Sequence, residues 1–307
     1  MSELYTAVDL GSNSFRLLSA NKSETKPYYK IVKLLKETPR ISDNFSKTHI
    51  FGEVAIDRGI NSLIKFLPYI KKSEKYKIAA TGVFREAKNI DSFLEKIKPH
   101  DITISILSTE EEATISGLGA INELPFNTEK FLYIDIGGGS FEIAVFHNNN
   151  LNYYSSTPMG AVKSMEYFDI YNNYNNSNIK NLESFLDETL NKIYNNINYE
   201  DFPVILSGGT VSTLIMMEKQ LNLYKRDEIN GVKINLTLIN KWIKTIQYTP
   251  IRERTTITGL ESGREDIIFT GLLILKKFYE VFSINYGFNS EGGLLEGTLL
   301  TLINKEV

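Results

Sequence analysis

Two stretches of the chain place an aspartate, a run of small residues and a serine between apolar segments. They are YTAVDLGSNSFRLLSA at 5–20 and FLYIDIGGGSFEIAVF at 131–146. One constant offset of 126 residues matches Asp9 with Asp135, Gly11 with Gly137, Ser14 with Ser140 and Phe15 with Phe141. Such loops suit phosphate: glycine lacks the Cβ that would block close approach, so backbone N–H groups can converge on an anion. In the first loop, Gly11, Ser12, Asn13 and Ser14 supply amides and side-chain donors; in the second, Gly137, Gly138, Gly139 and Ser140 do so. An aspartate at the strand end, Asp9 or Asp135, can orient a metal-bound water. A single loop of this kind would read equally well as a tight hairpin that needs glycine for positive φ. Two matching copies favour phosphate, and a pair of such loops facing one another across a cleft would grip a chain of phosphates from both sides.

The copies differ at one informative position. Arg16 in the first stands where Glu142 stands in the second, each two residues beyond the loop serine. A carboxylate there can help Asp135 hold Mg²⁺, a hard cation that prefers oxygen ligands and keeps several waters. An arginine there can contact phosphate oxygens. The alternative is an Arg16–Glu142 ion pair across the cleft. A third glycine loop, Gly208, Gly209 and Thr210, follows the strand-like Val204–Leu206 and opens a helix at Val211–Met217, so its amides would point at an anion site. Three consecutive acids, Glu110–Glu112, sit at a helix start, where the macrodipole favours them. Ser108-x-x-Glu111 and Thr109-x-x-Glu112 both fit a capping box; if Ser108 is the cap, Glu111 serves it and Glu112 is left for other work. Arg85, taken alone, fits a structural ion pair as well as a phosphate contact.

The elements that must position these residues alternate between strand and helix patterns, which predicts an α/β fold. Tyr5–Val8 and Phe15–Ser19 form a hairpin around the first loop. Ile56, Ile60, Leu63, Ile64 and Leu67 recur at helical spacing and predict a helix over about 53–70. Lys77–Ala80 is a short buried strand, Asp91 opens a helix that Pro99 ends, and Ile102, Ile104 and Ile106 alternate as a half-buried strand. A helix is expected from Thr109 to Asn122. Leu124-Pro125-Phe126-Asn127 breaks the pattern and marks the domain boundary. The repeat implies two similar domains: 1–122, joined by a C-terminal helix at about 294–307, and 123–293. Tyr171–Asn181 is asparagine-rich and reads as a polar loop before a surface helix, and residues 265–283 and 293–304 read as two further helices. The basic run Lys71–Lys77 reads as a solvated helix end.

Composition narrows the field. The 307 residues are 42% hydrophobic and 23% charged, with a net charge of −3. Cysteine is absent, which excludes thiol catalysis and cysteine-ligated metal sites. The three histidines, His49, His100 and His147, are scattered singly, against a histidine-rich metal centre. The negative balance argues against nucleic acid as a partner. With no apolar run of about 18 residues, no membrane-spanning helix is expected. The N-terminus reads as a first strand, not as a signal peptide, so a cytoplasmic location is the expectation.

The motifs AVDLGSNSFRL, ATGVFREA (80–87), STEEEA (108–113), YIDIGGGSFEI, PMGAVKS (158–164), LSGGTVSTL and GLESGREDIIFTGLLIL (259–275) occur in this order along nearly the whole chain. In combination they resemble the exopolyphosphatase and guanosine pentaphosphate phosphohydrolase family, within the sugar kinase, Hsp70 and actin superfamily. The resemblance implies two actin-like (ribonuclease H-like) domains with an interdomain active-site cleft, and a last helix that returns to the N-terminal domain. It makes Glu112 the catalytic base and Arg85 a phosphate-binding residue, and it gives Asp135 and Glu142 to the metal. Longer members carry a further helical domain with a histidine–aspartate motif after about residue 300. Here the one His-Asp pair is His100-Asp101, so shorter phosphate chains or nucleotides become the expected substrates.

The activity this resemblance implies is that of an Mg²⁺-dependent exopolyphosphatase, releasing phosphate from inorganic polyphosphate with water activated by Glu112 and domain closure during turnover. Hydrolysis of pppGpp to ppGpp needs the same parts and differs in a guanosine pocket. An ATP-dependent kinase or ATPase of the same superfamily would use the 207–210 loop for an adenosine site, although a sugar kinase places an aspartate base in its acceptor domain. A non-catalytic protein that binds guanosine tetraphosphate would bind without releasing phosphate. A homodimer is compatible with the resemblance.

Overall fold

The computed structural model describes residues 3–43, 45–170 and 176–303. Described residues up to Asn122 and from Gly292 onward form one compact unit, and Glu123–Glu291 form the other.

Unit 1 holds strands β1 (Leu4–Leu10), β2 (Phe15–Lys22), β3 (Tyr29–Glu37), β4 (Lys75–Ala80) and β5 (Ile104–Ile106). Its helices are α1 (Phe45–Thr48), α2 (Glu53–Ile70), α3 (Val83–Glu86), α4 (Ile90–Ile97), α5 (Thr109–Asn122) and, from the end of the chain, α13 (Leu294–Ile303). The sheet order is β3-β2-β1-β4-β5. β1 and β2 are antiparallel neighbours in the register Asp9↔Arg16, while β4 and β5 run parallel to β1. Because side chains alternate along a strand, Val8, Leu10, Phe15 and Leu17 face one core with α2 and α4. Tyr5, Ala7, Leu18 and Ala20 face Leu295, Leu299, Leu300 and Ile303 of α13.

Unit 2 repeats the plan with β6 (Lys130–Ile136), β7 (Phe141–His147), β8 (Asn150–Thr157), β9 (Val204–Ser207), β10 (Lys233–Ile234) and β11 (Gly287–Asn289). The order is β10-β11-β9-β6-β7-β8. β6 and β7 pair antiparallel with Asp135↔Glu142 in register, and β9 runs parallel to β6 with Asp135↔Ser207. The helices are α6 (Ala161–Tyr167), α7 (Asn176–Tyr194), α8 (Gly209–Lys219), α9 (Arg226–Ile229), α10 (Leu236–Tyr248), α11 (Ile251–Arg254) and α12 (Ile268–Phe282). α7, α8 and α12 cover one face of the sheet with a continuous apolar core.

The 53–70 periodicity appears as α2, with Pro68 tolerated near its end. The first hairpin is longer than its apolar signal, because β1 begins at Leu4 and β2 runs to Lys22. β3 escapes pattern reading. It is an edge strand whose Ile31, Val32 and Leu34 stay exposed, and its pairing with β2 is irregular at Ser19/Ala20, which breaks the alternation. The basic run splits between the turn after α2 and the first residues of β4. In the asparagine-rich segment, residues 171–175 lie outside the described residues and α7 begins at Asn176. The end of the C-terminal helix, 304–307, also lies outside them.

Candidate active site

Unit 1 builds its site on the ends of β1, β4 and β5. In the first loop, the Gly11 N–H donates to Ser14 O at 3.1 Å, which closes the turn, and a Cβ on Gly11 would crowd the same oxygen. The following segment braces the loop, since the N–H of Arg40 and of Ser42 donate to Asn13 O and Ser12 O. Asp9, buried beside the loop, accepts from Arg16 Nε at 3.1 Å and from Nη2 at 2.7 Å. Arg85 lies on α3, one short turn after β4. Its Nη1 donates to Leu107 O at 2.9 Å and to Glu112 Oε2 at 2.6 Å. Both side chains are partly exposed.

The start of α5 decides between the two overlapping capping boxes. Ser108 N donates to Glu111 Oε2 at 2.8 Å, and Glu111 N donates to Ser108 Oγ at 3.1 Å. These bonds, the backbone one first, hold the Glu111 carboxyl below the usual glutamate range. Glu111 therefore satisfies the helix end, and Glu112, one residue on and rotated by about 100°, turns to Arg85. Glycine sets the placement of α5 itself. A Cβ on Gly297 of α13 would collide with Ile115 O, and one on Gly119 would collide with Gly293 O.

Unit 2 repeats the turn, with Gly137 N donating to Ser140 O at 3.0 Å. The brace is different. The first N–H groups of α6, from Ala161 and Val162, donate to Gly137 O and Gly138 O at 2.9 Å. This consumes the orphan donors of a helix start and fixes the carbonyl side of the loop. A Cβ on Gly160 would sit 2.5 Å from both Gly137 O and Ser140 N, so the 158–164 motif needs glycine there. Asp135 and Glu142 are direct cross-strand partners, which places both carboxylates on one sheet face. Tyr133 donates to Asp135 Oδ2 at 3.2 Å, and Ser156 Oγ donates to Glu142 Oε1 at 3.0 Å. Burial, then the charge of Asp135, pushes the Tyr133 hydroxyl well above the usual tyrosine range, so it stays a neutral donor.

The third loop lies against the second. Gly208 takes φ +99°, open to glycine, and a Cβ there would sit 2.7 Å from Asp135 Oδ1 and 2.5 Å from Ile136 O. Gly209 opens α8, and a Cβ on it would overlap the guanidinium of Arg264. Arg264 Nε donates to Glu261 Oε2 at 2.6 Å. The Thr210 side chain is buried against Gly271 of α12, which leaves only its backbone to face an anion.

The structure thus brings together Asp135, Glu142, Gly137, Gly138, Gly139, Ser140, Gly208 and Gly209 in unit 2. In unit 1 it joins Glu112 to Arg85, and Asp9 to Arg16 beside Gly11–Ser14. Three contributors are invisible to spacing arguments. Arg264 reaches the third loop from 55 residues away in sequence. Tyr133 reads as an ordinary strand aromatic. Arg254 is fully buried and donates to Ile246 O, Thr249 O and Glu265 O, which pins the segment leading to Arg264 onto the carbonyl end of α10. Among the described residues, no group of three or more His, Asp or Glu side chains is gathered to hold a metal ion. No described helix is long and apolar enough to cross a membrane.

Two actin-like α/β units, each with an aspartate–glycine loop between its first two strands, define a protein of the phosphate-handling actin-like class. Residues 20–306 match the Ppx/GppA phosphatase family, and the chain belongs to it. A crystal structure of the Aquifex aeolicus member of that family superposes with a TM-score of 0.91 at 25% identity, covering 100% of this chain and 99% of that one. Among curated relatives, a Haemophilus influenzae protein named "Putative exopolyphosphatase" is 28% identical over 96% of this chain and 90% of its own. A Photobacterium profundum guanosine-5'-triphosphate,3'-diphosphate pyrophosphatase is 27% identical over 99% of this chain. A Fusobacterium nucleatum bifunctional 3-dehydroquinate synthase/phosphatase is 28% identical over 97%. The chain spans 60% of the Photobacterium relative and 46% of the Fusobacterium one.

Proposed function

We propose that the chain is an exopolyphosphatase, which hydrolyses the terminal phosphoanhydride of inorganic polyphosphate. The observation that carries this reading is the 2.6 Å Arg85–Glu112 contact, made while Glu111 alone closes the helix cap. A carboxylate kept out of the cap and beside a guanidinium suits an attack on phosphorus. A terminal phosphoryl group competes with Glu112 for Arg85, because bidentate guanidinium–phosphate bonds are strong. Glu112, released from the pair, takes a proton from the attacking water. The water oxygen bonds to phosphorus as the bridging oxygen leaves in line with the shortened chain. Arg85 and the amides of the Gly11–Ser14 loop stabilise charge on the equatorial oxygens.

Asp135 and Glu142 suit a divalent cation such as Mg²⁺. They are hard oxygen donors on adjacent strands, and a cation they hold would neutralise phosphate oxygens, keeping waters in its remaining positions. Asp9, matched with them by the repeat, is engaged by Arg16 and is given a lesser share of that role.

The name of the Photobacterium relative supports a second reading, hydrolysis of the 5'-terminal phosphate of pppGpp. Phosphate release from long-chain polyphosphate, pppGpp and ATP, each with and without Mg²⁺, separates the two. Faster turnover of polyphosphate supports the first, and faster turnover of pppGpp replaces it with the second. Release from ATP alone, or binding without release, overturns both.

A further inference from the structure

We propose that Tyr133 is the positioning residue of the cation site, fixing the carboxylate of Asp135 through its phenol hydroxyl. The inference rests on the reading that Asp135 and Glu142 hold a divalent cation. Tyr133 and Asp135 are two residues apart on β6 and so share a sheet face. The ring is fully buried, where a phenol O–H needs a partner. It finds Asp135 Oδ2 at 3.2 Å, on the strand that β9 neighbours in the register Asp135↔Ser207. The other oxygen, Oδ1, lies against Gly208, where even a Cβ would be too close. The carboxylate is therefore hydrogen-bonded at one oxygen, while the other lies where only glycine at 208 leaves it room.

The internal repeat makes the point sharper. The residue that matches Tyr133 in unit 1 is Ala7, which has no donor. There the aspartate takes its hydrogen bonds from Arg16. Each copy thus orients its aspartate, but by different means. A guanidinium brings a positive charge with the hydrogen bond and competes with any cation. A phenol orients the carboxylate and brings no charge. Hydrogen-bond partners of ligating carboxylates typically account for about 10–100-fold in metal affinity.

The test is Mn²⁺ binding to the whole chain without substrate, followed by the electron paramagnetic resonance signal of free Mn²⁺. Tyr133→Phe is expected to weaken binding about 10–100-fold and to raise by the same factor the Mg²⁺ concentration that half-saturates phosphate release. Asp135→Asn should weaken binding at least as far. If Asp135→Asn binds Mn²⁺ like the wild type, the cation reading fails and takes this inference with it. If Asp135→Asn loses Mn²⁺ while Tyr133→Phe stays within about twofold of the wild type, below that 10–100-fold range, Tyr133 does not position the site. Should Tyr133→Phe not fold, Tyr133→Met serves instead, since it removes the hydroxyl and fills the buried site with an adaptable apolar side chain. Weaker binding upholds the inference and unchanged binding overturns it.

Discussion

Asp9 and Asp135 stand at the same place in two copies of one strand–loop–strand unit, yet their neighbours give them different chemistry. The turns are almost superposable in their bonding, with Gly11 N to Ser14 O at 3.1 Å and Gly137 N to Ser140 O at 3.0 Å. The strand that leaves each loop carries the difference. Opposite Asp9 the register brings Arg16, and the pair neutralises itself at 2.7 Å. Opposite Asp135 it brings Glu142, and two carboxylates share one face. Like charges side by side are unfavourable unless a cation relieves them, which is the ground for proposing the cation at Asp135 and Glu142 and for giving Asp9 the lesser share. Unit 1 in turn carries Arg85 and Glu112. The two copies share one turn and differ in charge at one matched position, Arg16 against Glu142.

The largest test of this division is Glu112→Gln. It should lower kcat for phosphate release by about 10²–10⁴ without changing the melting temperature. Glu111→Gln should leave kcat near the wild type, and an equal loss would reverse the assignment of cap and base. Next is Glu142→Arg, which gives unit 2 the residue of unit 1. The half-saturating Mg²⁺ concentration should rise about 10–100-fold, while Asp9→Asn should move it far less; equal shifts would erase the contrast between the copies.

A smaller effect concerns helix packing. Gly297→Ala pushes a Cβ into the Ile115 carbonyl, a backbone contact that cannot turn aside, and should cost about 1–3 kcal/mol in urea unfolding. Gly271→Ala in unit 2 meets the Thr210 side chain instead, so it should cost less; the reverse order would refute the backbone-clamp account of α5 and α13. The smallest effect is Glu111→Gln on stability. Because the folded-state Glu111 carboxyl titrates below its usual range, its contribution is present above the unfolded value of about 4.3 and is lost as pH falls through the folded one. Melting temperatures of variant and wild type should therefore differ at neutral pH and converge in acid.

The strand–loop–strand copies were legible in the sequence, because glycine spacing and apolar flanks are local signals. So were α2 and α5, which are long and periodic. β3 was not legible, since an exposed edge strand with an irregular register has no clean period. The choice between Glu111 and Glu112 could be framed from the sequence but not made from it, because both capping boxes fit and only bond geometry at Ser108 separates them.

By itself the sequence determined the duplicated loops, the Arg16/Glu142 contrast and the family motifs, all set by residue type at fixed spacing. Only the tertiary structure decided which groups meet. Strand register placed Arg16 on Asp9 and Glu142 beside Asp135, burial turned Tyr133 toward Asp135, and the path of the 255–267 segment brought Arg264 onto Gly209. Only the last of these contacts joins residues distant in sequence; the others follow from strand pairing and side-chain direction, and the energies of all of them depend on distances that no local pattern encodes.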